Sequence, residues 1–190
     1  MGLPDGYSLL PLGIAALCST AHAFPGEQWH IAGQIHGLDP VLLYAVALAE
    51  SATPRGTSQV TPWRYALRAG TETHYPRDVQ SASTLLASLL EAESSRTLDV
   101  GLMQINLHWH GHRVENPAAL LDSRINLNVG AQILAKAMAS APQDPALGIG
   151  RCQSWRDDRA RWYGDRVLSI YGALLLAWSD EDDTEREGLL

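Results

Sequence analysis

The chain has 190 residues, 46% of them hydrophobic, with a formal net charge of −7 and a pI near 5.4. This size and hydrophobic content are sufficient for one compact domain with a substantial core, and no repeat or linker divides the chain. The acidic balance argues against a nucleic-acid-binding protein, which needs a basic surface to neutralise phosphates.

The N-terminal segment has the pattern of a secretory signal peptide. Residues 9–17 form an apolar segment, and residues 21–23 (Ala-His-Ala) are a small-x-small cleavage pattern. We therefore predict that residues 1–23 are a signal peptide and that the rest of the chain is exported. Because Asp5 precedes the apolar segment and no lysine or arginine does, a buried first helix is the alternative. Cys18 does not indicate a lipoprotein, since the residue before it fits a lipid-attachment box poorly.

Helical spacing of apolar residues dominates the rest of the chain, which predicts a mainly α, single-domain fold. Asp39-Pro40 and Asp144-Pro145 fit the first positions of two of these helices. Trp63 to Arg68, followed by Gly70, is typical of a strand and turn, which predicts a small β-hairpin. The predicted helices are 25–36, 40–51, 78–93, 123–140, 145–150 and 158–178.

The domain is expected to span residues 24–178. The apolar run of its last helix is too short to span a bilayer. Residues 179–190 are acidic and are predicted to form a disordered tail.

One glutamate lies on the apolar face of the second predicted helix. Leu43, Val46 and Glu50 recur at helical spacing, so Glu50 points toward the core. Burial disfavours a charged carboxylate, so we expect the pKa of Glu50 to be raised and its carboxyl to act as a proton donor near neutral pH. The alternative is a structural glutamate that a helix end or an arginine satisfies.

Two later segments place amide side chains among apolar residues. Within residues 101–106 (GLMQIN), Gln104 and Asn106 offer donors and acceptors that suit sugar hydroxyls, unless they bond only to the protein itself. Asn126 and Gly130 lie four residues apart on one face of the 123–140 helix, and Gly130 would let another segment pack closely.

Three histidines lie within residues 108–112 (HWHGH), which suggests a metal site. In a helix, however, only His108 and His112 share a face, and no cysteine or acid is near them, so we expect no metal. Trp109 either stacks on a sugar ring or fills the core.

The order of three motifs, AES at 49–51, GLMQIN at 101–106 and NLNVGAQIL at 126–134, resembles the goose-type lysozyme-like lytic transglycosylases of the SLT family. The resemblance is closest to the small members that accompany conjugation and type IV secretion machines, and it covers residues 27–178. It implies an α+β lysozyme-like fold, a substrate of peptidoglycan glycan strands, and a periplasmic location. We expect no cofactor.

The resemblance also implies roles for individual residues. Glu50 would be the catalytic acid. The residues implied to contact the substrate, or to back the groove that holds it, are Ser51, Gly101, Leu102, Met103, Gln104, Asn126, Cys152, Gln153 and Tyr163.

One position departs from the family pattern. The last family motif carries a tyrosine close to the catalytic acid, and Cys152 stands at that place within residues 148–155. A thiol is shorter than a phenol and forms weaker hydrogen bonds, so either activity is lowered, or Tyr163 or Tyr171 supplies the partner. The sequence does not choose between these.

The reaction implied by the resemblance is cleavage of the β-1,4 bond between N-acetylmuramic acid and N-acetylglucosamine. Glu50 would act first as acid and then as base, giving a 1,6-anhydro product. No second carboxyl accompanies the motifs, and Asp99, which precedes a glycine, is expected to cap a backbone turn. A peptidoglycan-binding scaffold protein with weakened catalysis and a hydrolytic muramidase are the alternatives.

Overall fold

The computed structural model describes residues 26–55, 59–92 and 98–187 of the chain. The predicted signal peptide and Cys18 lie outside the described residues. So do residues 188–190, the end of the predicted acidic tail.

Seven α-helices make up most of the described chain, which confirms the predicted mainly α fold. Short 3-10 helices at Gly111–Arg113 and Pro117–Leu121 connect α4 to α5. The helices are α1 (Glu27–His36), α2 (Pro40–Ser51), α3 (Val79–Ala92), α4 (Leu107–His110), α5 (Ser123–Ala139), α6 (Pro145–Gly150) and α7 (Asp157–Glu187).

Two predicted helix starts are capped by aspartates. A carboxylate oxygen of Asp39 accepts the Val41 N–H at 2.7 Å at the start of α2. Asp144 accepts the Leu147 N–H at 2.9 Å at the start of α6. A proline follows each aspartate, where its missing N–H costs no helical hydrogen bond, so both starts follow from local sequence.

Two small antiparallel sheets complete the fold. Strands β1 (Ala52–Arg55) and β2 (Gln59–Pro62) pair directly after α2. The second sheet has the strand order β4-β3-β5-β6, and its β3–β4 hairpin, which turns at Gly70, confirms the predicted hairpin. Its strands are β3 (Leu67–Ala69), β4 (Glu72–His74), β5 (Leu98–Val100) and β6 (Ile105–Asn106).

The core forms where α2 passes between α7 and the sheet region. Leu43 and Val46 of α2 are buried, as their spacing predicts, together with Val167 of α7. A Cβ atom on Gly164 of α7 would overlap the backbone of Ala146, so glycine is required where α6 and α7 cross in direct contact. This close crossing sets the position of α7 beside the end of α2.

Helix α7 is longer than the sequence predicts. The backbone is helical from Asp157 to Glu187, whereas the prediction ends the helix at Trp178 and treats residues 179–190 as a disordered tail. That prediction is wrong for the backbone of residues 179–187. The physical reason is that these residues contain neither glycine nor proline, so nothing interrupts the helix before Gly188.

Within the described ranges, no single helix is long and apolar enough to cross a membrane. Helices α1 and α2 meet that criterion only when taken together, and the chain bends by 109° between them.

Candidate active site

Glu50 lies in the last turn of α2, and its partner comes from the other end of the chain. The hydroxyl of Tyr163 on α7 donates a hydrogen bond of 2.5 Å to Oε1 of Glu50. Tyr163 is buried, with 4% of its surface exposed. Tyr171, the other candidate phenol, instead donates to Oδ2 of Asp39 at 2.6 Å. The structure therefore identifies Tyr163 as the phenol beside Glu50.

Glu50 is partly buried, and its carboxyl contacts the buried phenol of Tyr163. Burial is the main influence on its pKa and raises it above the ordinary value of 4.5. The hydrogen bond from Tyr163 and the charges of Arg68 and Arg166 act in the opposite direction, and the charge of Asp99 adds to the rise. The predicted direction of the shift is confirmed, and Glu50 is suited to donate a proton.

Tyr163 is suited to remain a hydrogen-bond donor. Burial raises the pKa of its phenol well above the ordinary value, and the nearby charge of Glu50 raises it further. The phenol therefore keeps its proton at neutral pH. It holds one oxygen of the Glu50 carboxyl and leaves the other free for a reacting group.

Cys152 also belongs to this site. Burial raises the pKa of its thiol, and the charge of Glu50 adds to the rise, while a hydrogen bond with Tyr163 acts in the opposite direction. Cys152 thus stays a neutral thiol at the edge of the core, beside the Glu50–Tyr163 pair. The next residue, Gln153, is exposed, and its backbone N–H donates to the Gly150 carbonyl at 3.0 Å.

Ser51 connects the helix of Glu50 to the loop at residues 101–104. Its hydroxyl contacts two carbonyl oxygens, that of Ala47 at 3.1 Å and that of Leu102 at 2.8 Å. Ser51 is buried, with 2% of its surface exposed. Ser51 is predicted to contact the substrate, whereas its side chain holds the loop against the end of α2.

The amide of Gln104 also bonds to the protein. Its Nε2 donates to the carbonyls of Ala66 at 3.1 Å and Gly101 at 2.9 Å. Gln104 has a positive φ of 41° and is 8% exposed. Its side-chain bond to Gly101 closes the turn at residues 101–104. Both donor bonds of this amide go to the protein backbone, which favours the alternative that the amide bonds to the protein itself, and its contact with substrate stays a prediction.

Asn126 is fully buried and forms three hydrogen bonds to the backbone. Its Nδ2 donates to the carbonyls of Val100 at 2.8 Å and Leu120 at 2.9 Å. Its Oδ1 accepts the Met103 N–H at 2.8 Å. The side chain thus joins α5 to strand β5, to the 3-10 helix at Pro117–Leu121 and to the loop at 101–104. Because the side chain is fully buried, it does not itself contact a ligand, and its place in the helix behind the groove stays a prediction.

The remaining loop residues support the site from within. Gly101 has a φ of 80°, and a Cβ atom there would overlap the side chain of Asn126, so glycine serves this contact rather than the approach of a ligand. Leu102 and Met103 are 4% and 7% exposed, so their side chains belong to the core rather than to a groove surface. Met103 packs on Gly130, which confirms the predicted close contact there.

Asp99 does not cap a turn as predicted, because it lies in strand β5 opposite Arg68 of β3. Arg68 donates to Oδ2 of Asp99 from Nε at 2.8 Å and from Nη2 at 2.5 Å. Asn106 donates to Oδ1 at 2.8 Å. Both carboxylate oxygens of Asp99 are therefore occupied.

The histidine-rich segment forms α4 and the 3-10 turn after it. Across the parts of the chain that the structure describes, no group of three or more His, Cys, Asp or Glu residues could hold a metal ion. Trp109 is 68% exposed, which excludes the interpretation that it fills the core. Its contact with a sugar ring stays a prediction.

One comparison with known proteins gave a match. A family model described as "Transglycosylase SLT domain" matches residues 27–150. This range contains Glu50, the loop at 101–104 and Asn126, and it ends before Cys152 and Tyr163. The searches of curated proteins and of solved structures found no match.

Proposed function

Because its match to the family model covers more than half of its length, this chain belongs to the transglycosylase SLT domain family, and we propose that it is a peptidoglycan lytic transglycosylase with Glu50 as its single catalytic acid and base. The observation that carries the proposal is the hydrogen bond between Glu50 and the buried phenol of Tyr163. Burial raises the pKa of the Glu50 carboxyl, and a carboxyl that can donate a proton is the group that cleavage of a glycosidic bond requires.

Glu50 acts twice in the proposed reaction. It first protonates the departing glycosidic oxygen of the bond between N-acetylmuramic acid and N-acetylglucosamine. The resulting carboxylate then takes the proton of the muramoyl C6 hydroxyl as that oxygen attacks C1, which gives a 1,6-anhydro end without water. The substrate's acetamido group assists the departure.

Tyr163 supports both steps from one position. Its hydrogen bond holds Oε1, so that Oε2 faces the substrate, and it stabilises the carboxylate that forms after the first proton transfer. Most glycosidases use two carboxylates. Asp99 is an acid whose charge acts on Glu50, but its oxygens are held by Arg68 and Asn106, which favours the single-acid route.

In the cell, we propose that the protein is exported to the periplasm and opens the wall locally for a conjugation or secretion machine. This proposal rests on the resemblance of the motifs and on the signal-peptide pattern of residues 1–23. The substrate class, peptidoglycan, follows from the family itself.

The reaction is tested by mass spectrometry of the soluble muropeptides that the purified protein releases from peptidoglycan sacculi. We expect products with 1,6-anhydro ends. Products with reducing ends would instead identify a hydrolytic muramidase. If the protein sediments with sacculi but releases nothing, it is the binding or scaffold protein.

Tyr163→Phe is expected to lower kcat about ten- to a hundredfold, because a hydrogen bond to a charged group contributes about 1.5–3 kcal/mol. The Tyr163 bond lowers the pKa of Glu50. Its loss therefore raises that pKa further, so the alkaline limb of the kcat profile moves to higher pH. Both effects are measured by the release of muropeptides across a pH series.

Cys152→Ala is the matched control for this variant. It changes the other neighbour of Glu50 and leaves the phenol in place, so kcat should change little. If Cys152→Ala lost as much activity as Tyr163→Phe, the thiol would be an equal partner of the acid, and the role assigned to Tyr163 would be wrong.

A further inference from the structure

Asp99 is a buried carboxylate whose partners hold it ionised. Arg68 binds Oδ2 through two nitrogens, and Asn106 binds Oδ1. The side chain of Asp99 is 9% exposed and that of Arg68 is 39% exposed. The two residues face each other in the register of β3 and β5, and Asn106 faces Asp99 from β6, so the sheet fixes this arrangement.

The ion pair lies near the end of α2 that carries Glu50, because strand β5 with Asp99 leads directly into the loop whose Leu102 carbonyl accepts the hydroxyl of Ser51 at 2.8 Å. The groups that face Glu50 come from four elements. They are Tyr163 and Arg166 of α7, Arg68 of β3, Asp99 of β5, and Cys152 just after α6. Two of these groups are cations and only one is an anion. Both cations favour loss of the Glu50 proton, whereas Asp99 opposes it.

The net effect of these charges on the protonation of Glu50 depends on Asp99. If Asp99 were neutral, the charges of Arg68 and Arg166 would both act on Glu50 with nothing to offset them. Such a site would favour the carboxylate form, which cannot protonate a departing oxygen. With Asp99 ionised, the positive charge of Arg68 is neutralised at close range.

We propose that Asp99 is a positioning residue for Glu50, whose carboxylate binds Arg68 and thereby keeps the positive charge of Arg68 from acting unopposed on the carboxyl of Glu50. This inference rests on the proposed function, in which Glu50 must be protonated to act. Under this proposal, the sheet that carries Arg68 and Asp99 contributes to catalysis, although neither side chain touches the reacting atoms.

The test compares Asp99→Asn, Arg68→Gln and the double variant. Asp99→Asn should move the alkaline limb of the kcat/KM profile to lower pH by about one unit, which reduces the protonated fraction of Glu50 about tenfold above that limb. Arg68→Gln should move the limb to higher pH. The double variant should return close to the wild-type profile, because both charges are then absent.

A second measurement follows Glu50 directly. The carboxyl carbons of glutamate are labelled with ¹³C, the Glu50 signal is assigned as the one missing from Glu50→Gln, and its titration is followed by NMR in each variant. The control is Glu115→Gln, which removes an exposed negative charge that is not among the groups acting on Glu50. It should leave both the pH profile and the titration unchanged.

The outcomes separate this inference from the proposed function. Shifts in opposite directions for the two single variants support the inference. Shifts in the same direction, or none, would overturn it, since a purely structural ion pair would lower activity in both variants without moving the profile. If the wild type released no muropeptides, the proposed function would fail, while the NMR titration would still decide the charge balance. If Asp99→Asn did not fold, Arg68→Gln and the double variant would carry the test.

Discussion

Glu50→Gln is expected to abolish the release of muropeptides from sacculi, with kcat falling by at least about 10³-fold. A single general acid or base contributes about 10²–10⁴-fold, and here one carboxyl performs both roles. The glutamine amide has nearly the same size and its oxygen still accepts the Tyr163 hydrogen bond, so folding and the binding of sacculi should persist. Release is measured by mass spectrometry, and binding by cosedimentation with sacculi.

The same variant should be more stable than the wild type at neutral pH. The folded state raises the pKa of Glu50 above its ordinary value of 4.5, so between the two pKa values the folded protein binds more protons than the unfolded chain. The wild type therefore loses stability as the pH rises through this window. Glutamine carries no proton to lose. The difference in unfolding midpoint should be absent below about pH 4.5, develop as the pH rises through this window, and be complete above the raised pKa.

Glu91→Gln on α3 is the control, because Glu91 is exposed and is not among the groups that act on the pKa of Glu50. It should change neither turnover nor the pH dependence of unfolding. Full turnover by Glu50→Gln would contradict the assignment of the acid. Lost turnover without any gain in stability at neutral pH would contradict the claim that the carboxyl is desolvated.

The position of Glu50 was predictable from sequence, but the identity of its hydrogen-bond partner was not. The spacing of Leu43, Val46 and Glu50 belongs to one helix and needs no tertiary information. Tyr163 lies 113 residues further along the chain, so its contact depends on how α7 crosses α6 and α2. The sequence therefore left Cys152, Tyr163 and Tyr171 as equal candidates.

The roles of the amide side chains of Gln104 and Asn126 could not be predicted from sequence, for a different reason. An amide that binds a sugar and an amide that binds the backbone offer the same donors and acceptors, so residue type does not separate the two roles. Only burial and geometry assign Gln104 and Asn126 to the protein itself. Gln104 and Asn126 belong to motifs that resemble a groove lining, but their side chains bond to the backbone and hold the loop at 101–104 beside Glu50.

The small sheets were only partly predictable for a related reason. Strands of two to four residues are too short to display an alternating pattern. The pairing of Arg68 with Asp99 depends on the register between β3 and β5, which are separated by α3. Asp99 consequently looked like a turn residue.

Asn126→Ala is expected to lower the free energy of unfolding by about 3–5 kcal/mol. The substitution leaves the Met103 N–H and the carbonyls of Val100 and Leu120 buried without their partner, and each unsatisfied group costs about 1–3 kcal/mol. It also opens space beside Gly101, whose backbone lies against the asparagine. The loss is measured by urea unfolding monitored by circular dichroism, and it is a large share of the roughly 5–15 kcal/mol that stabilises a typical domain.

Asn128→Ala is the matched control on the same helix. Asn128 is exposed, and its hydrogen bond to His36 at 2.8 Å lies at the surface, so its loss should cost less than about 1 kcal/mol. Equal losses in the two variants would contradict this assignment, because alanine has the higher helix propensity at both positions and only the buried bonds of Asn126 predict a larger loss. A greater loss for Asn126→Ala, with the loop at 101–104 more open to hydrogen exchange, would show that one buried amide holds the loop which Ser51 joins to the helix of the acid.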